Sequence, residues 1–447
     1  MKSPSFADVY RQLNAAQREA VDTVYGPVLV IAGPGTGKTQ LLSARVAKIL
    51  EATDALPQNI LCLTFTESGA RNMRERLGRF IGSAAYDVQI NTYHAFGSTI
   101  INRYPEYFTD LRLERPVDEL GKRQILEEIV QNLDYRNPLK QIRHHLGDLI
   151  GTISEIKRGL LSPEDLRIIA QTNLDGIQDV QNALAKILQP YTARMPSKLT
   201  TAVSVYTEII QALTDKPSLN RATSQPIVAL TNLAATELQL ALTAAQESDS
   251  TRPLTRWKNS WLVKNVKGQY TLGGSLESKR VTSLADVLET YHNALQERGL
   301  YDFDDMILRA IDVLERNDDL RYTLQEQYQY ILLDEFQDTN AAQLQLVRLL
   351  TDNPVNEGRP NILAVGDDDQ AIYAFQGAEA SNMLDYYRLY RDVKVISLQE
   401  NYRSRAEILE TSRNIASQIN NRLEKQFNSV SKELTAENTN LPPATLA

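Results

Sequence analysis

The sequence predicts an α/β fold: a doubly wound parallel sheet carrying an inserted, mainly helical accessory domain. Three observations predict it. Short apolar runs bounded by turn residues recur at Val28–Ala32, Ile60–Phe65, Tyr330–Asp334, Ile362–Gly366 and Val393–Leu398, as strands buried on both faces do. Helical periodicity lies between them, with Leu41, Leu42, Val46, Ile49 and Leu50 spaced for one face. Strands alternating with helices build a sheet covered on both sides.

The sheet signal stops after about Tyr107 and resumes near Asp302. Residues 1–107 and 301–397 therefore read as one discontinuous domain, interrupted by an insertion over 108–300 that is rich in Gln, Leu and Ala. Toward the end of the insertion, Trp257 and Trp261 stand among Arg256, Lys258, Lys264, Lys267, Lys279 and Arg280, and Lys267-Gly268 with Gly273-Gly274 suggests a hairpin. Two roles compete for this segment: a DNA contact, or tryptophans packed into the insertion's own core. The stretch Glu437 to Ala447 is polar, contains proline, has no core pattern, and is expected to fray.

With 447 residues, 42% hydrophobic and 23% charged, the chain is long enough to bury a sizeable core without staples. Its one cysteine, Cys62, lies in an apolar run and reads as a buried core thiol. Neither an N-terminal signal pattern nor an apolar stretch of membrane-spanning length is expected, so the cytoplasm is the default. A net charge of −8 does not advertise a nucleic-acid binder, although a basic groove can be local on an acidic protein.

The sharpest chemical signal is Ala32-Gly33-Pro34-Gly35-Thr36-Gly37-Lys38-Thr39, which follows a strand and opens a helix. This is a P-loop, with Ala at the position where the usual pattern has its first Gly. Glycines let backbone N–H groups curl around phosphates, and the helix N-terminus adds positive potential. Lys38 should reach the β- and γ-phosphates, and the Thr39 hydroxyl should ligate Mg²⁺. A second buried strand ends in Asp334-Glu335. In such an enzyme Asp334 holds the Mg²⁺, and Glu335 orients or deprotonates the attacking water.

Further segments resemble, in order and spacing, the superfamily 1 DNA helicases of the UvrD/Rep/PcrA type, over roughly the sheet-forming half of the chain. Leu13-Asn14-Ala15-Ala16-Gln17 is similar to their Q motif, which implies that Gln17 reads the adenine edge. Thr64-Phe65-Thr66-Glu67-Ser68-Gly69-Ala70 resembles motif Ia, and Asn91-Thr92-Tyr93-His94-Ala95-Phe96 the next DNA-contacting motif. By resemblance Phe65, Thr66, Thr92, Tyr93 and His94 contact single-stranded DNA, as rings beside hydroxyls can. Leu332 to Thr339 resembles motif II, preceded by the similar Asp302-Phe303-Asp304-Asp305-Met306. Val365 to Tyr373 resembles motif III, in which Gln370 senses the γ-phosphate and Tyr373 and Phe375 touch bases. Gln399-Glu400-Asn401-Tyr402-Arg403-Ser404 resembles motif IV, with Tyr402 stacking on adenine and Arg403 reaching the γ-phosphate.

The resemblance implies a RecA-like first motor domain, with 398–447 beginning a second one. It also implies ATP and Mg²⁺ as cofactors, single-stranded DNA and duplex junctions as partners, and 3′-to-5′ movement in the full-length protein. Two departures stand out: Gln376 replaces an expected Arg, which should lower the salt slope of DNA binding by about one unit, and the insertion is enlarged. The later motifs of a second motor domain are not found before Ala447, so the chain is expected to be part of a longer helicase, unable to unwind by itself. The competing readings are a transport or signalling P-loop ATPase, which would lack the Gln motif, and a nucleotide-regulated DNA-binding module without motor activity.

Overall fold

The computed structural model describes residues 6–108, 115–140, 146–191, 195–213, 227–266, 268–371, 382–418, 422–425 and 431–437. The chain divides into two compact units: Met1–Glu114 with Lys157–Leu160 and Tyr301–Ala447, and Arg115–Ile156 with Leu161–Leu300. Among the described residues no helix is long and apolar enough to cross a membrane.

The first unit is organised by a six-stranded sheet. Its strands are β1 (Val28–Ala32), β2 (Ile60–Thr64), β3 (Gln89–Thr92), β4 (Tyr330–Leu333), β5 (Ile362–Gly366) and β6 (Lys394–Leu398). They run parallel in the order β6-β1-β5-β4-β2-β3. The α/β doubly wound parallel sheet expected from the apolar runs is therefore observed. Alternation explains why these runs are apolar throughout. Leu29 and Ile31 of β1, Leu61 and Leu63 of β2, and Ile331 and Leu333 of β4 join one hydrophobic cluster. Val28 and Val30, Ile60 and Cys62, and Tyr330 and Leu332 join another on the opposite face. Both faces are dry, so neither set can be polar.

A parallel sheet places all its strand C-termini along one edge, where α/β proteins build their sites. Here that edge collects residues far apart in sequence: Gly33 after β1, Phe65 after β2, Tyr93 after β3, Asp334 after β4, Asp367 after β5 and Gln399 after β6.

The second unit is mainly helical. Pro163–Leu188 packs against Ser275–Glu297, and Ser162 starts the former with a capping box that includes Asp165. Leu262–Lys264 and Tyr270–Leu272 form the expected antiparallel hairpin, turning through Gly268 at φ +75°. Lys267 lies outside the described residues. Trp257 is only 4% exposed, donates from Nε1 to the Ala234 carbonyl at 2.9 Å and meets Tyr206 edge-on. Trp261 is half-buried and donates to Glu237. Trp257 thus belongs to this unit's core, the second of the two roles weighed for this segment.

Within the first unit, the loop before Asp305–Arg316 is pinned by a buried cation. Lys157 Nζ lies 2.7 Å from both Asp302 and Asp305, with the lysine side chain 1% exposed. Burial pulls this ammonium down, but the carboxylates of Asp305 and Asp302 outweigh it and its pKa is raised. Arg158 Nε holds Asp304 at 3.0 Å. Removing one partner of a buried ion cluster leaves charge without compensation. Lys157→Met should therefore cost about 3–5 kcal/mol of stability, read as a lowered urea midpoint. An unchanged midpoint would show that the cluster does not hold this loop.

Candidate functional site

The P-loop begins where β1 ends, and its shape depends on two glycines in the left-handed region, Gly35 at φ +76° and Gly37 at φ +88°. Gly35 also has no room for a side chain: a Cβ there would meet Arg403 Cβ and Asn401 Nδ2 at 2.7 Å. Each carbonyl from Gly33 to Gly37 is engaged from within the protein. Thr36 Oγ1 donates to Gly33 O at 2.8 Å, Asn401 Nδ2 to Pro34 O, and Tyr402 N–H to Gly35 O at 3.0 Å. Gln17 Nε2 donates to Thr36 O at 2.8 Å, and Gly37 O accepts from the helical Leu41 N–H. A loop whose acceptors are all engaged presents donors to a ligand.

Gln17 is held in place by helix capping. Its side-chain oxygen accepts from Asn14 N–H at 3.2 Å while its own N–H donates to Asn14 Oδ1 at 2.7 Å, a capping box at the start of Ala15–Asp22. The residue is 5% exposed, and its amide supports the P-loop through Thr36 O.

Lys38 and Thr39 open the helix Lys38–Ala52. Lys38 Nζ pairs with Glu335 Oε2 at 2.8 Å, which joins the end of β1 to the end of β4. Glu335 sits at φ +48°, and Gln337 Nε2 donates to the same oxygen at 2.9 Å. Burial raises the Glu335 carboxyl, but Lys38, the Gln337 hydrogen bond and Arg403 outweigh that and hold it low. Its neighbours behave oppositely. Burial and the charge of Glu335 push Asp334 up to about 6, and the same causes push Asp338 up to about 6. Asp338 Oδ1 is buried and, among the described residues, has no hydrogen-bond partner. Three carboxylates thus crowd one ammonium. That excess suits a divalent cation bridging to phosphates, with Asp334 and Thr39 as the oxygens this chain would supply. The donor loop, Lys38 and the acidic strand end fit a Mg-nucleotide.

The third and fourth segments close around the same edge. Asp367 N–H donates to Gln337 Oε1 at 3.0 Å, tying β5 to β4, and Gln370 Nε2 donates to Asp367 Oδ2 at 2.6 Å. Asn401 Oδ1 accepts from the N–H groups of Arg403 and Ser404 at 2.9 and 2.7 Å. The exposed Tyr402 donates to Glu400 at 2.6 Å, and Arg403 lies exposed over Gly35. Gly33, Pro34, Asp367 and Gln370 border a cavity of about 890 Å³ that Arg413 and Leu434 also line. Tyr373, Phe375 and Gln376 lie outside the described residues.

A second pocket, of about 210 Å³, is lined by Phe65, Glu67, Thr92, His94, Arg158 and Phe303 among others. His94 and Phe303 stack with ring centroids 3.9 Å apart, and Phe303 remains 56% exposed. Phe65 is half-buried and Thr66 exposed, the latter capping Glu67–Ile81 through the Gly69 N–H. Thr92 is largely buried, accepting from Ala95 N–H and donating to Glu67. Tyr93 is 1% exposed and packed in the core. It also lines this pocket, but at 1% exposure it presents almost no ring surface there. Helical phase explains the difference: Tyr93 and Phe96 turn inward while His94 turns out.

Several residues that shape the site had no assigned role in the sequence reading. Asn401 and Gln337 lay inside quoted motifs, yet nothing in spacing shows that one amide holds a P-loop carbonyl and the other bridges two strand ends. Phe303 carried a signal, an aromatic residue between acids. Arg422 and Lys432, which grip Asp367, Asp368 and Asp369, carried none.

The sequence profile of the UvrD/REP helicase N-terminal domain matches residues 13–391. Among curated proteins the chain is similar to the ATP-dependent DNA helicase PcrA of Staphylococcus aureus, 26% identical over 428 residues, covering 96% of this chain and 42% of that protein. It is also similar to the PcrA of Leuconostoc citreum, 25% identical over 416 residues, covering 93% of this chain and 40% of that one. The chain spans about two fifths of the length of these relatives. With a P-loop, an acidic strand end and the profile agreeing over most of its length, the chain belongs to the UvrD/REP helicase N-terminal domain family.

Proposed function

We propose that this chain is the ATP-binding and single-stranded-DNA-binding part of a DNA helicase, coupling Mg-ATP hydrolysis to 3′-to-5′ movement in the full-length protein. The observation that carries the reading is the P-loop: its carbonyls are engaged from Gly33 to Gly37, and Lys38 stands at 2.8 Å from Glu335. Such a loop has donors and one movable cation to offer an anion.

In this reading Lys38 exchanges Glu335 for the β- and γ-phosphates. Asp334 and Thr39 would hold Mg²⁺, which when bound would supply positive charge beside the phosphates. Glu335, ionised and released by Lys38, orients a water and takes its proton. Gln370 turns from Asp367 toward the γ-phosphate, and Arg403 stabilises charge there from across the P-loop. Gln17 keeps an N–H for the adenine edge, and the exposed ring of Tyr402 stacks on the base. Phe65 and His94, with Phe303, offer stacking surfaces for bases of a single strand. Thr66 and Thr92 hold that surface through their caps, and Tyr373 and Phe375 extend it by resemblance.

Lys38→Ala should lower Mg-ATP affinity by roughly ten- to a hundredfold, the worth of a charged hydrogen bond, with the fold unchanged by circular dichroism. Normal affinity in that variant would mean that the phosphate site is misassigned. Glu335→Gln should keep nucleotide binding and lose about 10²- to 10⁴-fold in turnover. Phe65→Ala should weaken single-stranded DNA binding by about 1–3 kcal/mol and leave ATP affinity alone, measured by fluorescence anisotropy. Turnover measured with and without single-stranded DNA decides between a motor part and a regulated binding module. Stimulation supports the motor part; binding of both ligands without turnover supports the module.

A further inference from the structure

Asp367, at the end of β5, is 1% exposed and its two oxygens serve different partners. Oδ2 accepts from Gln370 Nε2 at 2.6 Å. Oδ1 faces Lys432 Nζ at 2.9 Å and accepts from the Asp369 N–H at 3.2 Å. The same ammonium lies 2.6 Å from Asp368 and 2.8 Å from Asp369, its side chain 4% exposed. Of the three aspartates Arg422 grips Asp369, through two bonds of 2.9 and 2.7 Å, while its other nitrogen pairs with Glu424 at 3.0 Å, and Leu423 N–H donates to Asp368. Lys432 belongs to a segment that also pairs Thr435–Ala436 with Glu400–Asn401 and sets Leu434 against Gly33.

A hydrogen-bonded path therefore runs from the phosphate site to this segment. Lys38 meets Glu335 Oε2, which accepts from Gln337. Gln337 Oε1 accepts from Asp367 N–H, and the Asp367 carboxylate divides between Gln370 and Lys432.

We propose that Lys432 is a positioning residue for Gln370: by holding the Asp367 carboxylate, it lets the Gln370 amide leave for the terminal phosphate of a nucleoside triphosphate. The proposal rests on the reading of Gln370 as the γ-phosphate contact and extends it to a residue outside the motif series. The physical reason is the cost of a buried carboxylate losing a donor. With Lys432 present, Asp367 keeps a charge partner when Gln370 turns away. Without it, among the described residues Gln370 is the side-chain donor left to Asp367 beside the Asp369 N–H, which carries no charge, and the amide is retained there. Discrimination between triphosphate and diphosphate should then fall. Arg422 supplies the control, because it anchors the same acidic turn through Asp369 and does not touch Asp367.

The test compares binding of a non-hydrolysable ATP analogue and of ADP to the full chain, by calorimetry, with folding followed by thermal melting. Lys432→Gln should reduce the ratio of analogue to ADP affinity by about tenfold, the worth of one charge-assisted hydrogen bond, with ADP affinity within about twofold of the original. Arg422→Gln should loosen the segment and leave the ratio unchanged, and Lys432→Arg should restore it. If Lys432→Gln does not fold, the charge-matched pair Asp367→Asn with Lys432→Gln replaces it and should retain the triphosphate preference. An unchanged ratio in Lys432→Gln overturns the proposal. So does an equal fall in Arg422→Gln, which would make Lys432 a mere anchor, or loss of preference in the charge-matched pair. Gln370→Ala separates the two levels. If it lowers the ratio and Lys432→Gln does not, the positioning role fails while the reading of Gln370 stands; if Gln370→Ala leaves the ratio unchanged, that reading falls and the proposal with it.

Discussion

The phosphate site depends on how the P-loop carbonyls are held. A strand-to-helix turn rich in glycine has many conformations, and only one directs its N–H groups together. Here the choice is enforced by engaging the opposite dipoles: Pro34 O by Asn401, Gly35 O by the Tyr402 backbone, and Thr36 O by Gln17. These donors come from before β1 and after β6, so the loop is gripped by segments hundreds of residues apart. The glycines are permissive, and the grip is selective. Asn401 illustrates the economy of this arrangement, since its nitrogen holds the loop while its oxygen caps the turn that carries Arg403.

The second constraint is charge. Asp334, Glu335 and Asp338 follow one strand and Asp367, Asp368 and Asp369 follow its neighbour, so parallel pairing of β4 with β5 brings both acidic turns together. The two are balanced differently. The β5 turn is saturated by Lys432 and Arg422, and Asp369 is held low, because their hydrogen bonds and charges outweigh its burial. The β4 turn has Lys38 for three carboxylates, and two of them are pushed up to about 6. One turn is built for permanence and the other retains an appetite for cations. Gln337 joins them, so a change of charge at one is felt at the other.

How much of this was legible follows from the range of the interactions involved. The strands of the central sheet were readable because burial on both faces leaves continuous apolar runs at Val28, Ile60, Tyr330 and Ile362. β3 was not, because Gln89-Ile90-Asn91-Thr92 lies at the sheet edge and buries only alternate residues. The P-loop was readable because local backbone geometry demands its glycines. The burial of Tyr93 was not legible, because motif resemblance places a segment on a surface but does not say which side chains of its helix face outward. Trp257 went to the core, where its size favoured it over its basic neighbours. Lys432 was invisible for a different reason: its partners lie more than sixty residues earlier, and a lysine in a polar stretch looks solvated until a buried acidic turn is found beside it.

The contrast between short-range and long-range determinants bears on how such a site evolves. What binds phosphate is local and resists change, since Gly35 and Gly37 adopt backbone conformations that side chains rarely tolerate. What couples the site to the rest of the chain is spread over Gln337, Asp367 and Lys432, each contributing a hydrogen bond or a charge beside a strand end. These groups lie beyond the strand ends, outside the two apolar faces that stabilise the sheet. Differences in nucleotide response among proteins with such a site are then more naturally sought in these bridging amides and cations than in the loop that touches phosphate.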